Sequence, residues 1–277
     1  MLRLAVRVAR EQAELVLAEL LSLAPGGVEE VEVGDDVIEY AVYGAPGELP
    51  SLPDVHAAAR GALVAVSTSE IPDDWSERWR SFHRPLVLDG ALTVRPPWEP
   101  AASTPIDIVI DPAQAFGTGA HATTRLCLEL IVSLAARARP LGPFVDLGCG
   151  SGVLAIAAAR LGWGPVRALD NDPAAVSAAR ANAALNAVDV SVARHDLRTD
   201  PLEAGETTAA NLLGPLLRAW AGRLGAPGPA GHRPRTLIAG GLLEGEADGV
   251  AAAFGAAGLR ERERRVCGEW AALRLER

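Results

Sequence analysis

The first chemistry this chain offers is a run of glycines set between an apolar segment and a helical one. Phe144-Val145-Asp146-Leu147 reads as the end of a buried strand, Gly148-Cys149-Gly150-Ser151-Gly152 follows at once, and a helix opens at Val153. Glycine permits the tight turn and lets backbone N–H groups approach a ligand, with the positive end of a helix behind them. Asp170 closes the next strand, where a doubly wound fold places a carboxylate on a ribose diol. Asn211, within Ala209-Ala210-Asn211-Leu212-Leu213-Gly214-Pro215, falls at the carboxyl edge of a later strand, where open α/β sheets bind substrate. Its side-chain carbonyl can accept a hydrogen bond from an amine, although capping the following helix is an alternative use. A third polar segment, Asp111 to Thr124, contains Phe116, Gly117, Thr118, Gly119, His121 and Thr123. It could close over a ligand, with Phe116 as a shield and His121 as either a proton relay or a packed histidine. Thr123 or Thr124 would cap the helix that follows.

These groups need a scaffold, and the hydrophobic pattern supplies one. Leu2, Leu4, Val6 and Val8 alternate with Arg3, Ala5 and Arg7 as in a half-buried strand. An amphipathic helix over 11–23 ends at Pro25-Gly26-Gly27, strands follow at 28–33 and 37–43 about the turn Gly34-Asp35-Asp36, and an Ala-rich helix spans 54–65. This βαββα order predicts a small α+β module over 1–70. Residues 71–105, with Trp75, Trp79, Phe82 and four later prolines, read as a connector. From 106 to 277 strands and helices alternate, which predicts an α/β doubly wound parallel sheet covered on both faces. The strands are expected near 106–110, 144–147, 166–170, 189–193, 207–211, 235–240, 259–265 and 269–275. Helices are expected near 123–137, 152–161, 173–186, 214–224 and 243–257.

Composition narrows the chemistry. All 26 basic residues are arginine, so Schiff-base and P-loop lysine mechanisms are excluded. The 277 residues carry a formal charge of −9, which argues against a nucleic-acid-binding body. Most of that charge lies in residues 1–66, around Glu29-Glu30-Val31-Glu32-Val33-Gly34-Asp35-Asp36, and predicts a basic partner. Three scattered cysteines and five histidines without ligand spacing predict neither a disulfide framework nor a metal site. No stretch is apolar enough to span a membrane, and a cytoplasmic location is expected.

The dinucleotide fingerprint would need glycine where Val153 stands. The Asp146-Leu-Gly-x-Gly-x-Gly arrangement instead resembles class I S-adenosylmethionine-dependent methyltransferases. Four segments together, Asp111-Pro-x-x-Ala-Phe116-Gly-Thr118-Gly-x-His121-x-Thr-Thr124, Asp146-Leu-Gly-Cys-Gly-Ser-Gly-Val-Leu-Ala-Ile-Ala-Ala, Asp170-x-Asp172-Pro and Ala210-Asn211-Leu-Leu-x-Pro215-Leu, resemble the PrmA family. These are bacterial methyltransferases of ribosomal protein L11. The likeness is strong over 107–220 and architectural over 1–70. It implies a Rossmann-like methyltransferase domain behind a ferredoxin-like substrate-recognition domain, S-adenosylmethionine as cofactor, and a basic ribosomal protein as partner. It also implies cofactor contacts at Thr124, Gly148, Asp170 and Asn211, with Asn211 orienting the target amine. In the same loops Gly150, Phe116 and Thr118 are expected at the cofactor, Asp146 at its cationic methionine end, and Asp196 near the adenine. Asn171, Ala120 and Ala122 depart from residues usual in the family, which bears on substrate fit. Other readings stay open beside it: a class I methyltransferase with another protein or small-molecule target, an NAD(P)-linked oxidoreductase, and a binding protein that retains the pocket without turnover.

Overall fold

The computed structural model describes residues 2–24, 28–34, 36–44, 49–70, 84–88, 90–111, 121–137, 140–225 and 233–277. The chain divides into two compact units, Met1–Phe82 and His83–Arg277.

In the first unit a four-stranded antiparallel sheet is built from β1 (Leu2–Ala9), β2 (Glu29–Gly34), β3 (Val37–Gly44) and β4 (Leu63–Glu70), in the order β2-β3-β1-β4. Leu4, Val6 and Val8 of β1 face α1 (Ala13–Leu23) and α2 (Leu52–Ala59), where Val16, Leu20 and Val55 close the core. On the other face Glu39 is buried between Arg3 and Arg7. Those hydrogen bonds, led by that from Arg3, hold its carboxyl below the usual range. Here the structure corrects the sequence reading. The helix expected over 54–65 stops at Ala59, and β4 follows, giving the βαββαβ order of a ferredoxin-like module. Val64, Val66 and Thr68 are β-branched and favour the extended chain. The helix terminator at 25–27, Asp35 of the predicted turn and the tryptophans of 71–83 lie outside the described residues.

In the second unit seven strands form one sheet. They are β8 (Phe144–Leu147), β9 (Val166–Asp170), β10 (Val190–Arg194), β11 (Thr207–Asn211), β12 (Thr236–Leu243), β13 (Arg260–Cys267) and β14 (Trp270–Glu276), in the order β10-β9-β8-β11-β12-β14-β13. The first five run parallel. β14 is antiparallel to both neighbours, so the sheet is mixed and not wholly parallel. The reason is local: only Gly268 and Glu269 join β13 to β14, with Gly268 at φ +60°, and a parallel crossover needs far more chain. Strand residues alternate between two cores. Phe144, Ala168, Ala209 and Ile238 pack on the side of α3 (Ala122–Arg137), α4 (Val153–Leu161) and α5 (Pro173–Leu185). Val145, Leu169, Ala210 and Leu237 pack on the side of α6 (Gly214–Gly225) and α7 (Ala247–Ala256). Each fully buried Val, Leu, Ile or Phe side chain among them contributes about 1.5–3 kcal/mol.

The strand predicted near 106–110 does not join this sheet. β7 (Ile106–Val109) lies in a separate three-stranded sheet, parallel to β6 (Leu92–Arg95), which pairs antiparallel with β5 (Leu86–Leu88). Two strands therefore occupy what reads in sequence as a connector. Two buried asparagines, Asn182 of α5 and Asn186 at its C-cap, tie this sheet to the main body. Asn186 bonds the N–H and C=O of Val109 at 2.8 and 2.7 Å. Asn182 accepts from the N–H of Asp111 at 3.0 Å and donates to the carbonyl of Ser151 at 2.9 Å.

Candidate functional site

The carboxyl ends of β8, β9 and β11 lie along one edge of the parallel sheet, and they carry the glycine loop, Asp170 and Asn211. Between β8 and α4 the backbone takes positive φ at Gly148 (+70°), Gly150 (+51°) and Gly152 (+80°), a region open to glycine at little cost. Gly148 and Cys149 both donate to the carbonyl of Leu169, at 2.8 and 3.1 Å, which anchors the loop on β9. A Cβ on Gly148 would stand 2.3 Å from Cδ2 of Leu212, so the bare glycine backbone forms a cradle against that side chain.

Asp170 organises the next layer. Its Oδ2 accepts the N–H of Gly150 at 2.9 Å and its Oδ1 that of Asp172 at 3.0 Å. Each carboxylate oxygen accepts more than one bond, which leaves capacity toward the cleft. Asp172 caps α5 through the N–H of Ala174 at 2.8 Å, with Pro173 at the first helical position, where a missing N–H costs nothing.

Two cavities share this edge. One of about 290 Å³ is lined by Thr124, Gly148, Cys149, Gly150, Asp170, Asn211 and Leu212, among others. The other, of about 280 Å³, shares Gly148, Asp170, Asn171 and Leu212 and runs on to His195, Asp196 and Arg198. Thr124, Gly148, Gly150, Asp170 and Asn211, all singled out from sequence, thus line one cleft. The structure does not bring Asp146 there. That carboxyl is fully buried beneath the loop, where Oδ2 accepts the N–H of Ala155 at 3.1 Å and Oδ1 has no partner among the described residues. Burial pushes it up to about 7, the Ala155 bond opposes the rise, and the charge of Asp170 adds to it. Phe116 and Thr118 lie outside the described residues.

Asn211 Nδ2 donates to the hydroxyls of Thr123 and Thr124, both at 3.4 Å. Its Oδ1 is buried beside Gly240 without a partner among the described residues. An unmade bond at a buried acceptor costs about 1–3 kcal/mol, so such an atom marks a place where a donor is welcome. His121 sits at the start of α3, its Nδ1 2.8 Å from the Thr123 hydroxyl and accepting the Thr123 N–H at 3.3 Å. Its ring meets Trp270 edge-on at 5.0 Å. Burial lowers its pKa, so the histidine caps the helix in its neutral form. Cys127 and Cys149 are buried, and burial raises both thiols well above their ordinary range, which keeps them from acting as thiolate nucleophiles.

Sequence reasoning did not find Leu212, which lines both cavities. Nothing in its type announces it; only its place after Asn211 does. It reached His195 only as the neighbour of Asp196. Among the described residues no helix is long and apolar enough to cross a membrane, and no cluster of acidic, His or Cys side chains is arranged to hold a metal.

Comparison with known proteins gives a consistent picture. A family model described as ribosomal protein L11 methyltransferase (PrmA) matches residues 54–277. A ribosomal protein L11 methyltransferase of Pelotomaculum thermopropionicum is 41% identical over 219 residues, which cover 77% of this chain and 69% of that protein. Its counterpart in Pelobacter propionicus is 42% identical over 234 residues, covering 81% and 73%. Among solved structures, the ribosomal protein L11 methylase of Lactobacillus delbrueckii subsp. bulgaricus superposes with a TM-score of 0.61 at 28% identity, over 70% of this chain and 99% of that one.

Proposed function

Because the chain belongs to the ribosomal protein L11 methyltransferase family, we propose that it transfers methyl groups from S-adenosylmethionine to amino groups of ribosomal protein L11. The observation that carries this reading is the convergence of Thr124, Gly148, Asp170 and Asn211 on one cleft at the carboxyl edge of the sheet. The residues present fit the cofactor. Gly148 lines the cleft as bare backbone, with Leu212 packed where a side chain would stand. Asp170 offers carboxylate oxygens suited to a ribose diol, and Asn211 offers a buried acceptor without a partner among the described residues.

When bound, S-adenosylmethionine supplies a methyl group on a sulfonium that is already activated toward nucleophiles. The chain's own task is therefore to bind, orient and exclude water, and holding donor and acceptor in a near-attack geometry accounts for most of the acceleration. Asp170 and the loop over 148–150 hold the nucleoside and amino-acid portions. Asn211 is not a base, so the target amine loses its proton to solvent. Asn211, which lines the cleft, would help to position that amine toward the methyl group. Glu29 and Glu30, exposed on the edge strand β2 of the first unit, steer a basic substrate by complementary charge.

The test is a calorimetric titration with S-adenosylmethionine, S-adenosylhomocysteine and NADH, followed by a methyl-transfer assay on purified ribosomal protein L11. Micromolar binding of the first two, no binding of NADH and label transfer to L11 are expected. Binding of NADH alone, or cofactor binding without transfer to L11, would overturn the cofactor or the substrate assignment respectively.

A further inference from the structure

The glycine loop is anchored from more than one side, and the anchor on α5 has no part in the reading above. On the β9 side, Gly148 and Cys149 donate to the carbonyl of Leu169, and Asp170 Oδ2 accepts the N–H of Gly150. On the α5 side, Asn182 Nδ2 donates to the carbonyl of Ser151 at 2.9 Å. Ser151 is fully buried, while Gly150 and Val153 on either side of it line the cleft together with Ala175 of α5. The packing there is close as well. A Cβ on Gly152 would stand 3.0 Å from Cβ and 3.2 Å from Cα of Ala179, about one turn before Asn182. The loop thus meets α5 at two successive turns, by a steric contact at one and a hydrogen bond at the other.

Asn182 is buried, and both ends of its amide are used. Its Oδ1 accepts the N–H of Asp111 at 3.0 Å, the residue that opens the polar segment singled out in sequence. One side chain therefore joins two stretches that lie far apart in the chain. An amide can do this because it presents an acceptor and two donors together, whereas an ionised carboxylate offers no donor. The helix that carries it is fixed at its start. Asp172 caps α5 through Ala174, and its own N–H donates to Asp170 Oδ1 at 3.0 Å. One end of α5 is thus tied to the proposed ribose ligand, and Asn182 in its last turn is tied to Ser151 and Asp111. Asn186, one turn further on, makes a different set of bonds. It engages both backbone groups of Val109 and the carbonyl of Asn182, and no group of the glycine loop among the described residues.

We propose that Asn182 is a positioning residue for methyl transfer: it sets the glycine loop against α5 and so fixes the backbone that receives the cofactor. The proposal rests on the S-adenosylmethionine site assigned above. Without the amide, the carbonyl of fully buried Ser151 loses its donor, and a buried acceptor left unpaired is costly. The peptide group then turns toward another donor and carries Gly150 and Gly152 with it. Both already sit at positive φ, and glycine opposes such a rotation less than any other residue. Binding has to restore the loop, and affinity falls by the cost of doing so.

The test pairs Asn182→Ala with Asn186→Ala on the full chain, by melting, calorimetric titration with S-adenosylhomocysteine, and steady-state methyl transfer to L11. Both variants are expected to melt below the unmodified protein. Asn182→Ala is expected in addition to weaken S-adenosylhomocysteine about tenfold, to raise KM for S-adenosylmethionine by a similar factor, and to speed hydrogen exchange over 148–153. Asn186→Ala is expected to leave those three within about twofold. A merely structural role would lower the folded fraction, which reduces kcat and leaves KM and the affinity of the folded molecules alone. Asn182→Asp keeps the shape and the acceptor for Asp111 but, ionised, has no donor for Ser151; it is expected to match Asn182→Ala toward the cofactor. Undiminished affinity in either Asn182 variant, an equal loss in Asn186→Ala, or failure of both Asn182 variants to fold would overturn the proposal. If the unmodified protein bound neither S-adenosyl compound, the cofactor reading itself would fall, and this proposal with it.

Discussion

Replacing Gly148 by alanine tests the site at the point where the backbone was read as a cradle. Two costs follow from the geometry. At φ +70° an L-residue is strained by about 1–2 kcal/mol. The new Cβ would also stand 2.3 Å from Cδ2 and 3.2 Å from Cγ of Leu212, whereas carbon atoms rest about 3.5–4.0 Å apart. The tip of Leu212 must therefore move by more than about 1 Å. It lines both cavities, so the displaced methyl takes space from the ligand. The expected result is a melting temperature lower by about 2–8 °C and affinity for S-adenosylhomocysteine reduced at least about tenfold. Gly90→Ala is the control. That glycine has φ +67° with open space where a Cβ would go, so it incurs the backbone strain alone and should leave affinity unchanged. Calorimetric melting and titration of both variants separate strain from obstruction. If Gly148→Ala bound the ligand within twofold of the unmodified protein, or if Gly90→Ala lost as much affinity, the cradle argument would be wrong.

Three further outcomes follow from the same geometry. Asp146 is raised in the folded protein from 3.8 to about 7, so its protonated form favours folding. That contribution is complete below about pH 4 and is lost as pH rises to about 7, by up to about 4 kcal/mol. Asp146→Asn keeps an acceptor for Ala155 and has no charge to bury. Urea melts should show it gaining stability on the unmodified protein between pH 5 and pH 8, and a constant difference would refute the assignment. Asn211→Ala should lower kcat about tenfold or more while changing cofactor affinity less, as read from steady-state kinetics beside calorimetry. A loss confined to affinity would make Asn211 a cofactor ligand and nothing more. Glu29→Gln together with Glu30→Gln should slow association with L11, with the deficit shrinking as salt screens exposed charge over about 8–10 Å; stopped-flow rates that do not change with the substitutions would remove β2 from the recognition surface.

The parts of the site that sequence made legible are those whose chemistry is local. Three glycines at alternate positions announce positive φ, and an acid at the end of the next strand is placed by the strand itself. Depth is another matter. Asp146 and Asp170 look alike in sequence, yet one is sealed beneath the loop and the other lines the cleft, because only the layering of α4 over β8 decides which carboxylate meets the ligand. The missed strands had local signals that stronger ones masked. Asp89-Gly90 between Leu88 and Leu92 is a hairpin cue set amid prolines that suggested a connector. Val64 to Ser69 follows an alanine run that extended the helix too far. The antiparallel β14 was hidden by the regular alternation before it, although Gly268-Glu269 is too short for a crossover.

The strand order has a consequence for how the molecule is assembled. β14 follows β13 in the chain but lies inside it, against β12, so the sheet cannot be laid down from one side in the order of synthesis. Until the β13–β14 hairpin docks, Thr236–Leu243 presents a largely apolar segment with one row of N–H and C=O groups open. Such an edge can capture another copy of the same strand, and correct closure competes with that capture while the chain is incomplete. The charged run Arg260 to Arg265 on β13 then serves as a guard: it becomes the outer edge once docking is done, and alternating charge makes a poor template for a neighbouring chain. The hairpin thus exchanges an aggregation-prone border for a repellent one, and its closure sets how long the nascent protein is at risk.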